Sequence, residues 1–374
     1  MSALIFLSTL FLAYANGAND NFKGVATLYG SKTSSYQKAL MWTTLTTALG
    51  SIMALYLAGQ LAIIFKGKGL VPEEIIQMQN FPISVGTGAA LTVMLATFFN
   101  LPVSTTHALI GALAGAGWIA SEMGINWAQL SEEFFLPLIG GPLISIALAF
   151  IIYPVFKKLR ELFKIEQETC FCLGKKVIAT VPRHGTTKEE FINNFSELSV
   201  LPEAIIKSQV YCRSSYSGQI VGISARKILD VLHYLSSGLV CFARGLNDTP
   251  KIVALLLIRS RLDLNLPVLL VGAFMIIGGL VHSKGIAETM GEKVTEMNPG
   301  QAFTANLITG LMVFGASRMG LPVSTTHVSC GSIFGIGAVN KKINIRILMQ
   351  ILVAWITTLP LGFIVGLTLM SILS

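Results

Sequence analysis

Apolar runs alternate with short polar breaks along most of the chain, and their lengths predict the elements. A helix that crosses a bilayer takes about 20 mostly apolar residues, and runs of that order open at Ala3, Ala39, Phe134, Leu229, Leu266 and Ile345. Two further runs, Ile83 to Ala120 and Ala302 to Val339, are each cut in the middle by a polar stretch containing proline. Their pieces are shorter than a crossing, so each run predicts a re-entrant hairpin with the interruption at its tip. Irregular backbone at that depth is tolerated only where protein or a cavity surrounds it. The first run is interrupted as well, by Asn16-Gly17-Ala18-Asn19-Asp20-Asn21. An acid at membrane depth needs a partner, an ion or water, so this stretch predicts a broken helix with exposed carbonyls.

The interruptions repeat. Leu101-Pro102-Val103-Ser104-Thr105-Thr106-His107 recurs unchanged as Leu321-Pro322-Val323-Ser324-Thr325-Thr326-His327, and Gly17-Ala18-Asn19-Asp20 returns as Gly245-Leu246-Asn247-Asp248. The chain therefore divides into a first membrane repeat, residues 1–156, and a second, residues 228–374, around a polar insert at 157–227. The insert holds Pro182-Arg183-His184-Gly185, Glu189-Glu190 and a Ser/Tyr-rich run from Tyr211 to Gly218. None of these is a catalytic motif, and the insert reads as a connector or small regulatory subdomain. Each half contains three crossings and one hairpin, and an odd number of crossings inverts the second half relative to the first. The predicted fold is an all-α polytopic membrane protein with two inverted-topology repeats, each with a broken first helix and a re-entrant helical hairpin. Inversion brings the two tips together near the midplane.

The chemistry of the tips follows from their residues. Pro102 and Pro322 stop an incoming helix, and Ser104 and Ser324 cap the next one. The hydroxyls of Ser104, Thr105, Thr106, Ser324, Thr325 and Thr326, with unpaired N–H groups at the positive ends of two helices, suit an oxyanion. One copy would read as an ordinary helix cap; two identical copies in apolar surroundings read as a site. His107 and His327 follow the caps directly, either as proton carriers or packed on the inner face.

Composition supports the membrane assignment. Of 374 residues, 53% are hydrophobic and only 12% charged, with a mean hydropathy of +0.68, and the long runs are too helix-like for an outer-membrane barrel. Met1 to Ala15 carries no basic residue and runs into further apolar sequence, so it reads as the first membrane segment instead of a cleaved signal. The net charge of +8 does not require nucleic acid, because the basic residues sit largely in loops beside apolar spans. The positive-inside rule then places the insert, opened by Lys157-Lys158, together with Lys341, Lys342 and Arg346 in the cytoplasm and both termini outside; Arg259 and Arg261 fall outside and count against this orientation. Three of the five cysteines, Cys170, Cys172 and Cys212, lie in the insert and read as reduced thiols. Cys170 and Cys172 are too close and isolated for a zinc site.

The Gly-Ala-Asn-Asp segment, its second copy and the paired Pro-Val-Ser-Thr-Thr-His tips together resemble the PiT family of inorganic phosphate transporters, the family of the sodium/phosphate symporters. The likeness covers both membrane halves and not the insert. It implies a secondary active transporter of the cell membrane that takes up phosphate with sodium or protons, as a homodimer with an elevator-like movement. On this likeness the six tip hydroxyl residues bind the phosphate oxygens. Asp20 and Asp248, with Asn19 and Asn247, take the coupling sodium ions, since hard cations favour oxygen ligands. Two buried carboxylates and a phosphate dianion repel one another at low dielectric, so anion and cation each make the other's site favourable. Sodium is favoured over protons because an acid, amide and hydroxyl cluster suits an alkali cation, and no other cofactor is expected. One departure stands out. A well-known branch of the family reads Gly-Ala-Asn-Asp-Val-Ala-Asn-Ala, and here Lys23 and Lys251 replace the second asparagine in both repeats. A lysine three residues after the acid shares its helix face and can neutralise it, attract phosphate or snorkel away. Two rival classes are weaker: an intramembrane hydrolase using Ser104 and His107 has no need of a mirrored second copy, and a passive anion channel has no need of buried aspartates. Sulfate fits the same cup, and only the likeness selects phosphate.

Overall fold

The computed structural model describes residues 3–57, 59–67, 69–121, 124–166, 169–176, 202–208, 216–258 and 265–374. The Pro182–Gly185 stretch, Glu189, Glu190, Tyr211, Cys212, Arg259 and Arg261 lie outside these described residues. The first half runs through α1 (Ala3–Asp20), α2 (Phe22–Gly30), α3 (Tyr36–Leu57), the short α4 (Gly59–Ile64) and α5 (Glu73–Ile76), then α6 (Asn80–Phe98) and α7 (Thr105–Ala120). A π-helical turn at Leu130–Phe135 leads into α8 (Leu136–Leu162). The second half comprises α9 (Ala225–Leu257), α10 (Asn265–His282), the short α11 (Lys284–Glu288), α12 (Pro299–Arg318), α13 (Thr325–Val339) and α14 (Ile345–Leu373). Among the described residues, α3, α6, the Trp127–Leu162 segment, α10 and α14 are long and apolar enough to cross a membrane.

Polarity is turned inside out, as a bilayer requires. Leu7, Met41, Leu45, Ile139, Leu143, Ile356 and Ile364 are exposed, whereas Asn16, Asn19, Asp20, Lys23, Arg244, Asn247, Asp248 and Lys251 are buried. In water this distribution would be costly twice over; in lipid the apolar exterior meets chains of its own kind and the polar interior is shielded. Along α1 and α2 the change from one buried apolar cluster, containing Leu12 and Ala18, to another, containing Phe22 and Val25, brackets Asn19–Asn21. The polar belt lies between two cores.

The halves interlock reciprocally. Gly17 of α1 lies so close to the backbone of Met275 in α10 that a Cβ would overlap its carbonyl, and Gly245 of α9 stands in the same relation to Thr47 of α3. Gly50 against Phe242 and Gly278 against Tyr14 repeat the pattern. Each of these contacts maps onto its counterpart by the spacing that separates Gly17 from Gly245. The hairpins follow suit, with Gly111 and Gly115 of α7 against α14 and Gly331 and Gly335 of α13 against α8. With little hydrophobic drive between helices in lipid, such close backbone approach supplies the van der Waals packing that holds them. The second legs of the interrupted runs, α7 and α13, have 16 and 15 residues, about 24 Å at 1.5 Å per residue and short of a hydrocarbon core of about 30 Å, whereas the first legs, α6 and α12, have 19 and 20 residues and are longer than the expected pieces.

Two expectations need correction. The expected break is a single residue in the first copy: Asn21 separates α1 from α2, and its N–H still reaches the Gly17 carbonyl at 3.2 Å. In the second copy there is no break, since α9 continues through Asp248 and past Pro250. The physical reason is that side-chain amides and ions supply the polar contacts here, leaving the helix backbone its own ladder. The all-α description also stops at the insert. Val155–Leu232 forms a separate compact unit with a three-stranded antiparallel sheet in the order β2-β1-β3, from β1 (Thr169–Lys176), β2 (Pro202–Ser208) and β3 (Tyr216–Ser224). Phe171 pairs across from Ile206 on one side and Ile223 on the other, the aromatic and β-branched composition that favours strands.

Candidate functional site

The two tips form as their residues dictate. Ser104 and Ser324 adopt extended backbone, and their side chains accept the N–H of His107 at 3.1 Å and of His327 at 3.2 Å. The first turns of α7 and α13 thus keep their leading N–H groups off the helical ladder, with the positive dipole end beside them. The tips meet. Thr326 Oγ1 of the second lies 3.0 Å from the Val103 carbonyl of the first, the His107 and His327 rings sit 4.3 Å apart, and Trp355 of α14 covers His327 while donating from Nε1 to the Pro102 carbonyl at 3.1 Å.

Asparagines from the paired motif hold each tip in place. Asn19 donates to Thr97 Oγ1 and to the Leu101 carbonyl and accepts the Val103 N–H, all within 3.0 Å. Asn247 does the corresponding work at the second tip, donating to the Val323 carbonyl at 3.2 Å and accepting from Ser317 Oγ at 3.2 Å. Both amides, expected as cation ligands, therefore act in this structure as clasps on the irregular backbone next to the prolines. The backbone carbonyls that the sequence places in a broken helix come from the tips.

The acids lie between these clasps. Asp20 accepts from Thr326 Oγ1 at 2.7 Å, from Thr105 Oγ1 at 3.3 Å and from Asn16 Nδ2 at 3.0 Å, and pairs with Lys23 Nζ at 2.6 Å. Asp248 accepts from Asn247 at 3.0 Å and Asn16 at 3.2 Å, with Lys251 Nζ at 3.6 Å and Arg244 Nε at 3.9 Å. Asn16 bridges the two carboxylates. Lys251 also donates to Thr106 Oγ1 at 2.9 Å and to the Val323 carbonyl at 2.8 Å, linking both tips. The six hydroxyl residues of the tips are all buried, none more than 5% exposed. An oxyanion already sits among them: the Asp20 carboxylate takes one hydroxyl from each tip.

Comparison with known proteins gives the family. Residues 16–366 match the family described as the Phosphate transporter family. The chain belongs to that family. It is 25% identical to a Chlamydia trachomatis protein and 26% identical to a Haemophilus influenzae protein, both named "Putative phosphate permease", with 96% and 94% of this chain aligned to 95% and 91% of theirs. A solved structure titled "The sodium-dependent phosphate transporter" superposes with a TM-score of 0.73 at 19% identity, covering 99% of this chain and 98% of its own. The phosphate transporter family is one of transporters, not of enzymes.

Sequence reasoning about this family member missed Asn16, Asn21 and Arg244. Arg244 donates to Asn21 Oδ1 at 3.0 Å and to Asn16 Oδ1 at 3.1 Å, and is among the largest fully buried side chains. A signal was present. Arg244 stands where the repeat places Asn16, so the two halves differ by a cation at one equivalent position.

Proposed function

We propose that this protein is a secondary active transporter of inorganic phosphate that works by alternating access in the cell membrane. Phosphate oxygens would be held by Ser104, Thr105, Thr106, Ser324, Thr325 and Thr326 and by the N–H groups that open α7 and α13. One observation carries this reading: Thr105 and Thr326, from different tips, converge on a single oxyanion, the Asp20 carboxylate. A phosphate entering the cup competes for the same donors, so Asp20 gives up the tip hydroxyls and keeps its pairing with Lys23 as the solute binds. Because these residues are buried, exchange with either aqueous side requires movement of the hairpins against the rest. The reciprocal glycine contacts support an inverted pair of halves, and the elevator-like movement and homodimer implied by the family likeness belong to the same proposal.

For the coupling ion, sodium at Asn19, Asp20, Asn247 and Asp248 is supported by the oxygen-rich residue set and by the name of the solved relative. Protons are the second reading, favoured by the ammonium groups already paired with both carboxylates. The test is uptake of labelled phosphate into proteoliposomes under an inward sodium gradient, a proton gradient alone, and neither. Accumulation above equilibrium under at least one gradient is expected; uptake indifferent to both removes the symporter reading.

A further inference from the structure

A sodium site needs several oxygens able to close around a small cation. At the second candidate position those oxygens already surround a lysine, and at the first a lysine stands directly against the acid. Lys23 Nζ sits 2.6 Å from Asp20 Oδ1 and is completely buried. Lys251 Nζ has the Val323 carbonyl at 2.8 Å, the Thr106 hydroxyl at 2.9 Å and the Asp248 carboxylate at 3.6 Å. Carbonyl, hydroxyl and carboxylate oxygens converging on one positive centre make up the shell an alkali ion would take. The Arg244 guanidinium adds a third cationic head beside two carboxylates, so the cluster of Asp20, Asp248, Lys23, Arg244 and Lys251 carries a formal surplus of one positive charge before any solute arrives. Adding sodium would raise that surplus in a buried, low-dielectric region, where like charges repel most strongly. Adding a phosphate anion would lower it.

We infer that Lys23 and Lys251 are resident counter-cations standing in place of transported sodium, and that phosphate binds this protein without sodium. The inference rests on the phosphate reading of the tips and, at Asp20 and Asp248, takes the proton reading over the sodium one, because a tethered ammonium cannot be released with the cargo. The side chain does the electrostatic work of the ion, and the sodium gradient has no grip on these two positions.

The experiment is equilibrium binding of labelled inorganic phosphate to the purified full chain in detergent, in sodium chloride and in choline chloride of equal ionic strength. For the unmodified protein the two dissociation constants are expected to agree within about two-fold, the scatter ordinary between like contexts. In Lys23→Asn and Lys251→Asn, sodium is expected to tighten binding about tenfold or more, the effect of about 1.4 kcal/mol. Tenfold tightening by sodium in the unmodified protein overturns the inference, as does unchanged, sodium-indifferent binding in both variants. Should the variants fail to fold, the comparison on the unmodified protein decides alone. Absence of phosphate binding in either salt would instead bring down the phosphate reading and this inference with it, a pattern distinct from stimulation by sodium.

Discussion

Asp20 and Asp248 descend from one repeated motif and yet live in different surroundings. Asp20 is gripped by a lysine at 2.6 Å and by hydroxyls from both tips. Among the described residues Asp248 receives no tip hydroxyl; its lysine is 3.6 Å away and occupied with Thr106 and the Val323 carbonyl, while Arg244 stands at 3.9 Å. The helix packing around them is reciprocal almost residue for residue, as Gly17 with Met275 and Gly245 with Thr47 show. Duplication has thus kept the frame symmetric and let the charges diverge. The divergence traces to one equivalent pair, Asn16 and Arg244, an amide in one half and a guanidinium in the other. One acid is left inside the hydroxyl cup, where it can exchange places with an anion, and the other anchors the cations.

The largest expected effect separates the two acids. Asp20→Asn leaves Lys23 buried without its partner, and uncompensated buried charge costs about 3–5 kcal/mol. Thermal unfolding in detergent should therefore fall sharply and uptake vanish, whereas Asp248→Asn should lose clearly less stability because Lys251 and Arg244 keep their other acceptors. Equal losses would show that the asymmetry has no energetic content. Next is Arg244→Gln. Charge-assisted hydrogen bonds contribute about 1.5–3 kcal/mol, so phosphate KM should rise about ten- to a hundredfold in a folded protein, and a KM unchanged in uptake kinetics would deny Arg244 the role of surplus charge. The smallest effect probes the symmetric part. Ser104→Ala and Ser324→Ala each remove one cap worth about 1 kcal/mol, and with cap distances of 3.1 and 3.2 Å the two losses in unfolding stability should match. Unequal losses would mean that one of the serines has further work.

Much of this was readable before any coordinates. Serine after proline in an apolar run can do little besides start a helix, so the caps at Ser104 and Ser324 were legible locally, as were the duplicated acids. The insert was less so: Ile205-Ile206 and Ile220-Val221 carry the β-branched signal of strands, but short apolar pairs in a polar segment do not announce their partners. Asn19 and Asn247 read as ion ligands because amide oxygens beside an acid suit a cation; what their neighbours in sequence do not announce is that they also hold the irregular backbone of the tips, whose unpaired N–H and carbonyl groups had to be satisfied.

Hydropathy and helix capping are properties of residues close together in the chain, and so the amino-acid order alone determined the helical membrane class and the serine caps that open α7 and α13. That Lys251 reaches Thr106, that Arg244 reaches Asn16 and Asn21, and that Asp20 lies in the cup were decided only by the fold. These pairings join residues up to three hundred positions apart, as Thr326 with Asp20, and at such separation the direction of a charged side chain is set by the helices packed around it and not by its neighbours in sequence.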